Sequence, residues 1–173
     1  MTVRPPHPGE ARALAEIHIE TWQQAYSHIF GEEFLAGLDL DRRERWFEVQ
    51  ISKGEGLIVA ETGSQPAGFC FFGDSGDEGW GEVFAIYVHP DHWGRGHGHR
   101  LLAAAERGLA ERSHRRALLW VLESNKQARG FYERQGWVLG RPIRIEEIGG
   151  TQVTEVRYER LLSSSATLTV SSG

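Results

Sequence analysis

Gly94-Arg95-Gly96-His97-Gly98 sets three alternating glycines ahead of a segment in which Leu101, Leu102, Ala105 and Leu109 recur at helical spacing. Glycines there let the main chain adopt positive φ and approach a ligand closely. The helix behind them offers unpaired N–H groups and the positive end of its dipole. This arrangement suits a phosphate-bearing ligand, with Arg95 and Arg100 adding charge matched to phosphate oxygens. Two common nucleotide cradles fit badly. A P-loop needs Gly-Lys followed by Ser or Thr, which this turn lacks. A dinucleotide fingerprint reads G-x-G-x-x-G in the first βα turn, whereas this G-x-G-x-G follows three strand candidates. A bare structural turn is the poorer reading, because three glycines at a helix start cost conformational entropy.

Other reactive residues cluster nearby. His89, His92, His97 and His99 straddle the same turn. A metal site needs convergent ligands, so histidines beside glycines read as solvated or phosphate-facing, and no metal is expected. Cys70 sits in the apolar run Gly68-Phe69-Cys70-Phe71-Phe72, which predicts a buried core thiol. As the single cysteine it forms no internal disulfide.

The elements that must position the turn can be read outward from it. Trp80–Val88 is a strand candidate ending at His89-Pro90, where proline cannot continue a central ladder. Beyond the helix, Ala117–Leu122 is a continuous apolar run of strand length, as expected for a parallel strand covered on both faces. Strand, helix and strand make a right-handed βαβ unit. Upstream, a short strand at Thr2–Arg4 precedes an amphipathic helix over roughly 9–28, carrying Leu14, Ile17, His18, Thr21, Trp22 and Ala25. A second helical region runs from Glu33 to Phe47, with a break near Gly37-Leu38-Asp39. Leu57–Glu61 and Ala67–Phe72 form a hairpin pair. Downstream, Asn125 caps a helix that ends before Gly136, and Trp137–Leu139 and Val153–Leu162 close the sheet. The expected fold class is α/β: one domain over residues 1–162, followed by a Ser/Thr-rich tail, 163–173, expected to be disordered.

Composition agrees. The chain has 173 residues, 40% hydrophobic and 25% charged, as for a globular domain with a proper core. A formal charge of −5 argues against nucleic acid as a partner. The N-terminus lacks a signal-like apolar stretch, and nothing approaches a membrane span of roughly 18 apolar residues, so a cytoplasmic protein is expected.

The run Ile86-Tyr87-Val88-His89-Pro90 through Gly98-His99-Arg100-Leu101-Leu102 resembles the acetyl-coenzyme A signature of the GNAT N-acetyltransferase superfamily. In that signature a strand ending V-x-P leads into Q/R-x-x-G-x-G/A, which opens a helix. Gly96 and Gly98 match the two small positions, and Trp93 stands where Gln or Arg is usual. Asn125-Lys126-Gln127-Ala128-Arg129-Gly130-Phe131-Tyr132-Glu133-Arg134-Gln135-Gly136-Trp137 resembles the family's N-x-x-A-x-x-F-Y-x-x-x-G-F segment, with Trp137 for Phe. The resemblance covers about residues 3–162. It implies a GNAT-like mixed sheet of about six to seven strands, splayed at its centre and flanked by helices. It also implies acetyl transfer from acetyl-CoA to a primary amine by direct attack in a ternary complex. The alternative reading is a noncatalytic acyl-CoA-binding module. Homodimers are compatible with the family.

By the same resemblance, main-chain groups of Ile86 and Val88 hold the pantetheine arm and Gly94, Arg95, Gly96, His97, Gly98 and His99 wrap the pyrophosphate. Asn125 meets the pantetheine or the acceptor, and Tyr132 is the general acid for the leaving thiolate. Amine attack on a thioester also needs a base. Glu82 is the candidate, flanked by Trp80, Val83 and Phe84, whose apolar surroundings favour a raised pKa. Simple alternation puts Trp80, Glu82, Phe84 and Ile86 on one face, unless a bulge changes the parity. His18, Trp22 and Tyr26 fall on one helical stripe; Trp22 and Tyr26 are candidates for the acceptor mouth, with core packing as the alternative. The acceptor is an amine-bearing small molecule or a protein amine.

Overall fold

The computed structural model describes residues 2–163, so the expected tail from Ser164 onward lies outside the described residues. The elements are β1 (Thr2–Arg4), α1 (Ala11–Ala25), α2 (Glu32–Ala36), α3 (Leu40–Lys53), β2 (Leu57–Thr62), β3 (Gln65–Asp74) and β4 (Trp80–Val88). A short 3-10 turn (Pro90–His92) leads to α4 (His97–Glu111), β5 (Arg116–Leu122), α5 (Lys126–Arg134), β6 (Val138–Ile148) and β7 (Thr151–Leu161). They build one mixed seven-stranded sheet in the order β1-β2-β3-β4-β5-β7-β6, flanked by five helices. Among the described residues only β4 and β5 pair in parallel.

Local chemistry sets several boundaries. The break near Gly37-Leu38-Asp39 separates α2 from α3, because the Asp39 carboxylate accepts the Arg42 N–H at 2.9 Å and restarts the helix. Asn125 caps α5 in the same way, its Oδ1 accepting the Ala128 N–H at 3.0 Å. One strand departs from expectation. β6 does not stop at Leu139 but runs to Ile148, absorbing Gly140-Arg141-Pro142 at a register shift against β7. It is one of the two edge strands, so no strand on its outer side requires the N–H that Pro142 lacks.

The sheet is covered on both sides. On one face, Leu101, Leu102, Ala105 and Leu109 of α4 pack with Val83, Ala117, Leu119, Val121 and Tyr158, with Ile86, Val88 and Tyr132 at the margin. On the other, α1 and α3 pack over Val59 and Phe69, with Tyr87 alongside. A third group, Phe30, Leu35, Leu122 and Val153, joins the end of α1 and α2 to the β6–β7 hairpin. β5 therefore buries side chains on both faces, as its apolar run implies.

Two irregularities in β4 shape the centre of the sheet. Phe71 of β3 pairs with Ala85 but its neighbour Phe72 pairs with Val83, so Phe84 is a surplus, bulged residue. Upstream of it, Gly81 and Val83 face α4; a Cβ on Gly81 would lie 2.6 Å from Leu109. Downstream, Ile86 and Val88 face α4 while Tyr87 faces α1. Glu82 therefore shares its face with Tyr87, not with Ile86 as uninterrupted alternation would have it. The second irregularity is a fork. β4 pairs with β5 only at Trp80, Gly81 and Glu82, against Arg116, Ala117 and Leu118, and the remainder of β4 has no partner on that side.

Candidate active site

The fork exposes main-chain groups in a pattern that the ladder dictates. His89 N–H donates to Ala67 C=O at 2.9 Å, which makes this a hydrogen-bonded position of the β3–β4 ladder. Alternation then turns Tyr87 toward β3 and directs the N–H and C=O groups of Ile86 and Val88 into the gap. The gap opens into a cleft of about 470 Å³, within the range of small-ligand sites. Ile86 and Val88 line one wall, Asn125, Ala128, Phe131 and Tyr132 the other, and the glycine turn closes one end.

The turn has the properties of an anion cradle. Gly94 and Gly96 have φ of 74° and 83°, left-handed values that disfavour any other residue. Gly96 is the N-cap of α4, no side chain caps the helix, and no acidic residue stands in its first turn. Arg100 N–H to Gly96 C=O, at 3.2 Å, is the first helical bond, so the N–H groups of His97, Gly98 and His99 have no helical acceptor.

Gly94, Gly96, His97, Gly98 and His99 all line the cleft, whereas Arg95 is exposed and stands outside its lining. The His97 imidazole is buried (1% exposed) and turns inward, with Nε2 3.2 Å from the Thr62 hydroxyl. Burial holds this ring's pKa below the usual histidine value, leaving its main-chain N–H for the cradle. His92 lies edge-on between His89 (5.9 Å) and His97 (5.6 Å), while His89 meets Glu20 at 2.6 Å and His99 meets Gln135; among the described residues no three His, Cys, Asp or Glu are placed to hold a metal ion. Cys70 is wholly buried and its thiol pKa is pushed far up by desolvation.

Tyr132 stands at the other end of the cleft, its ring 5.2 Å from Phe131. Desolvation raises its phenol pKa well above the usual range, so the hydroxyl stays protonated. Tyr26 does not line the cleft, but the Asn125 amide lies beside its hydroxyl, and burial likewise keeps that phenol neutral. Trp22 also sits behind the wall. Its indole N–H donates to the Tyr87 hydroxyl at 3.0 Å, and its ring lies 5.0 Å from Tyr26.

Glu82 occupies the last paired position before the fork, on the face opposite α4, and is not part of the cleft lining. Burial raises its pKa, opposed mainly by the charge of Arg144 and a hydrogen bond with Ser75. The structure thus gathers Ile86, Val88, the turn, Asn125 and Tyr132 around one cleft, leaves Glu82 and Trp22 on the opposite face of β4, and joins Tyr26 to the cleft only through Asn125.

Sequence reasoning missed three contributors. Thr21 of α1 lines the cleft and donates its hydroxyl to Val88 C=O at 3.2 Å. Trp93 donates its indole N–H to the same carbonyl at 2.7 Å. Tyr87 packs on the α1 face of the sheet, 4.9 Å from the His18 ring. The only sequence signal was Trp93 itself, out of pattern in its motif. A second cleft of about 490 Å³, beside Trp80, Arg116, Glu159 and Arg160, lies at the opposite end of β5 and touches none of these residues.

The profile of the acetyltransferase (GNAT) family matches residues 12–137. A probable N-acetyltransferase of Mycobacterium tuberculosis is 28% identical over 163 residues, spanning 90% of this chain and 91% of its own. A mycothiol acetyltransferase of Streptomyces bingchenggensis is 34% identical over 139 residues, 79% of this chain and 42% of that protein. The PaiA N-acetyltransferase of Thermoplasma acidophilum, solved in complex with coenzyme A, superposes with a TM-score of 0.73 at 19% identity, covering 92% of this chain and 98% of the other. With the fork, the glycine cradle and the family profile in agreement, the chain belongs to the GNAT family of acetyltransferases.

Proposed function

We propose that the protein moves an acetyl group from acetyl-CoA to a primary amine by direct attack within a ternary complex. The observation that carries this reading is the fork, whose outward-facing Ile86 and Val88 amides lead from the cradle at Gly94–His99 to Tyr132. A pantetheine arm is a chain of amides, and it can complete the ladder that β5 abandons. Coenzyme A in the Thermoplasma relative supports the same class of ligand.

In the chemistry that follows, the ammonium gives one proton to the base, the neutral amine nitrogen bonds to the thioester carbon, the C–S bond breaks, and the nitrogen loses its second proton, which replaces the one the general acid passes to the thiolate. Tyr132 donates to the departing sulfur. Its raised pKa makes it a poor acid in isolation but a permanently available hydrogen-bond donor, so transfer must accompany C–S cleavage. Glu82 takes the amine proton, through water, from the other side of the sheet. Acid and base then flank the slot, which suits an acceptor entering from the face of Trp22, Tyr26 and Tyr87. An amine-bearing small molecule or a protein amine would serve as acceptor.

The test pairs calorimetry with coenzyme A and acetyl-CoA against coenzyme A release across an amine panel. Binding with release for at least one amine supports the enzyme. Binding without release for any amine would favour a noncatalytic acyl-CoA module, and no binding would sink both.

A further inference from the structure

Val88 C=O points into the fork, where a regular sheet would give it a partner on β5, and β5 has already turned away. Two donors meet it instead. Trp93 Nε1 lies at 2.7 Å and Thr21 Oγ1 at 3.2 Å. A carbonyl oxygen has two lone pairs, so both positions are taken. The donors come from different parts of the chain: Thr21 from α1, and Trp93 from the turn that opens the cradle. The 3-10 turn makes the second contact possible. His92 N–H to His89 C=O (2.9 Å) and Trp93 N–H to Pro90 C=O (3.1 Å) fold the chain back after Pro90, so residue 93 reaches the strand it has just left. The Trp93 side chain also forms part of the cleft wall.

We infer that Trp93, standing where the family signature has Gln or Arg, is a positioning residue for the pantetheine arm, acting through Val88. This rests on the reading of the cleft as an acyl-CoA site. With its carbonyl saturated, Val88 offers the arm only its N–H, while Ile86 offers both N–H and C=O. The arm therefore has one register in which its amides pair with β4. A side chain without an indole N–H leaves half of the carbonyl open to a competing, shifted register and loosens the strand end. The adenine nucleotide half of coenzyme A lies beyond the pyrophosphate and does not use β4.

The experiment compares coenzyme A with adenosine 3′,5′-diphosphate, which lacks the arm, by calorimetry on the full chain. Trp93→Phe keeps an aromatic ring and removes the donor; Thr21→Val, nearly isosteric, removes the other donor with Trp93 intact. Each single variant should weaken coenzyme A about threefold and leave the nucleotide within twofold of wild type. The double variant should weaken coenzyme A more than about 30-fold, beyond the product of the singles, because the carbonyl is then orphaned. Equal losses for both ligands would show Trp93 touching the nucleotide half and overturn the inference, as would a double variant equal to the product or an unchanged coenzyme A affinity. Should Trp93→Phe fail to fold, Thr21→Val alone decides between selective and equal loss. Wild-type protein that binds neither ligand refutes the acyl-CoA reading itself, a distinct result.

Discussion

Replacing Gly96 by alanine separates a structural glycine from a ligand-cradling one. Its φ of 83° is left-handed, and an added Cβ would meet no heavy atom within 4 Å. The folded protein thus suffers no clash, only the cost of holding an L-residue in that conformation, about 1–2 kcal/mol. For a chain of this length that lowers Tm by roughly 2–8 °C. Gly54 is a matched control. It ends α3 with φ of 70°, has equally open surroundings, and lies outside the cleft. Gly54→Ala should therefore lower Tm by a similar amount and leave coenzyme A affinity within twofold. Gly96→Ala should add to the same thermal loss a coenzyme A Kd at least about tenfold weaker, since the methyl group stands where the main chain must approach the pyrophosphate. Thermal melts without ligand and calorimetry with coenzyme A measure the two effects separately. If both variants lose equal stability and Gly96→Ala binds coenzyme A normally, the turn is not the phosphate cradle.

Tyr132→Phe should lower turnover about 100-fold or more, the usual scale for a lost acid, with coenzyme A affinity within threefold; an undiminished rate removes the hydroxyl from the chemistry. Glu82→Gln should reduce activity most at low pH, where the acceptor is ammonium, and an unchanged pH–rate profile would argue against Glu82 as base. The same variant carries a stability signature. Because the folded pKa is raised, the native state holds a proton that the unfolded state has lost, and stability falls as pH rises from the unfolded value through the folded one. Glu82→Gln should be free of that loss, as urea titrations at pH 4 and 7 would report. His18 has the opposite sign. Burial, with the charge of Arg43 nearby, depresses its pKa to about 3, so below pH 6.5 the unfolded chain binds a proton that the native one refuses. Wild-type protein should lose about 2 kcal/mol on going from pH 7 to pH 5 through this group, and His18→Phe, which keeps an aromatic ring between Trp22 and Tyr87, should not; equal acid sensitivity of the two would show that the ring titrates freely.

The legible parts of the fold are those fixed by local chemistry. Pro90 ended β4, Asn125 capped α5, and the glycines at 94 and 96 announced left-handed turns before an uncapped helix. β6 was not legible beyond Leu139, because Gly140-Arg141-Pro142 reads as a terminator in any strand that has two neighbours, and edge position is a property of the whole sheet. The same holds within the site. Nothing local to His97 distinguishes a ring facing a phosphate from one packed against Thr62, 35 residues away. Thr21 looked like one more residue on the buried stripe of α1, and its hydroxyl acquires a purpose only when the fork leaves Val88 C=O without a strand partner. The face of Glu82 depended on a bulge whose presence no residue type at 84 signals.

That bulge makes one position in β4 matter by count as well as by identity. Phe84 is 44% exposed, and its ring still packs 5.3 Å from that of Phe71 on β3. Its presence as one residue too many is what bends β4 just past Glu82, where pairing with β5 ends. The sheet behaves as a zipper with a stop, and the stop sets how far the slot extends toward Tyr132. Sliding the surplus residue one place along the strand would move the crotch of the fork by about 3.3 Å, the rise of one strand residue. Reach in this cleft is thus graduated in whole residues, by where an insertion falls.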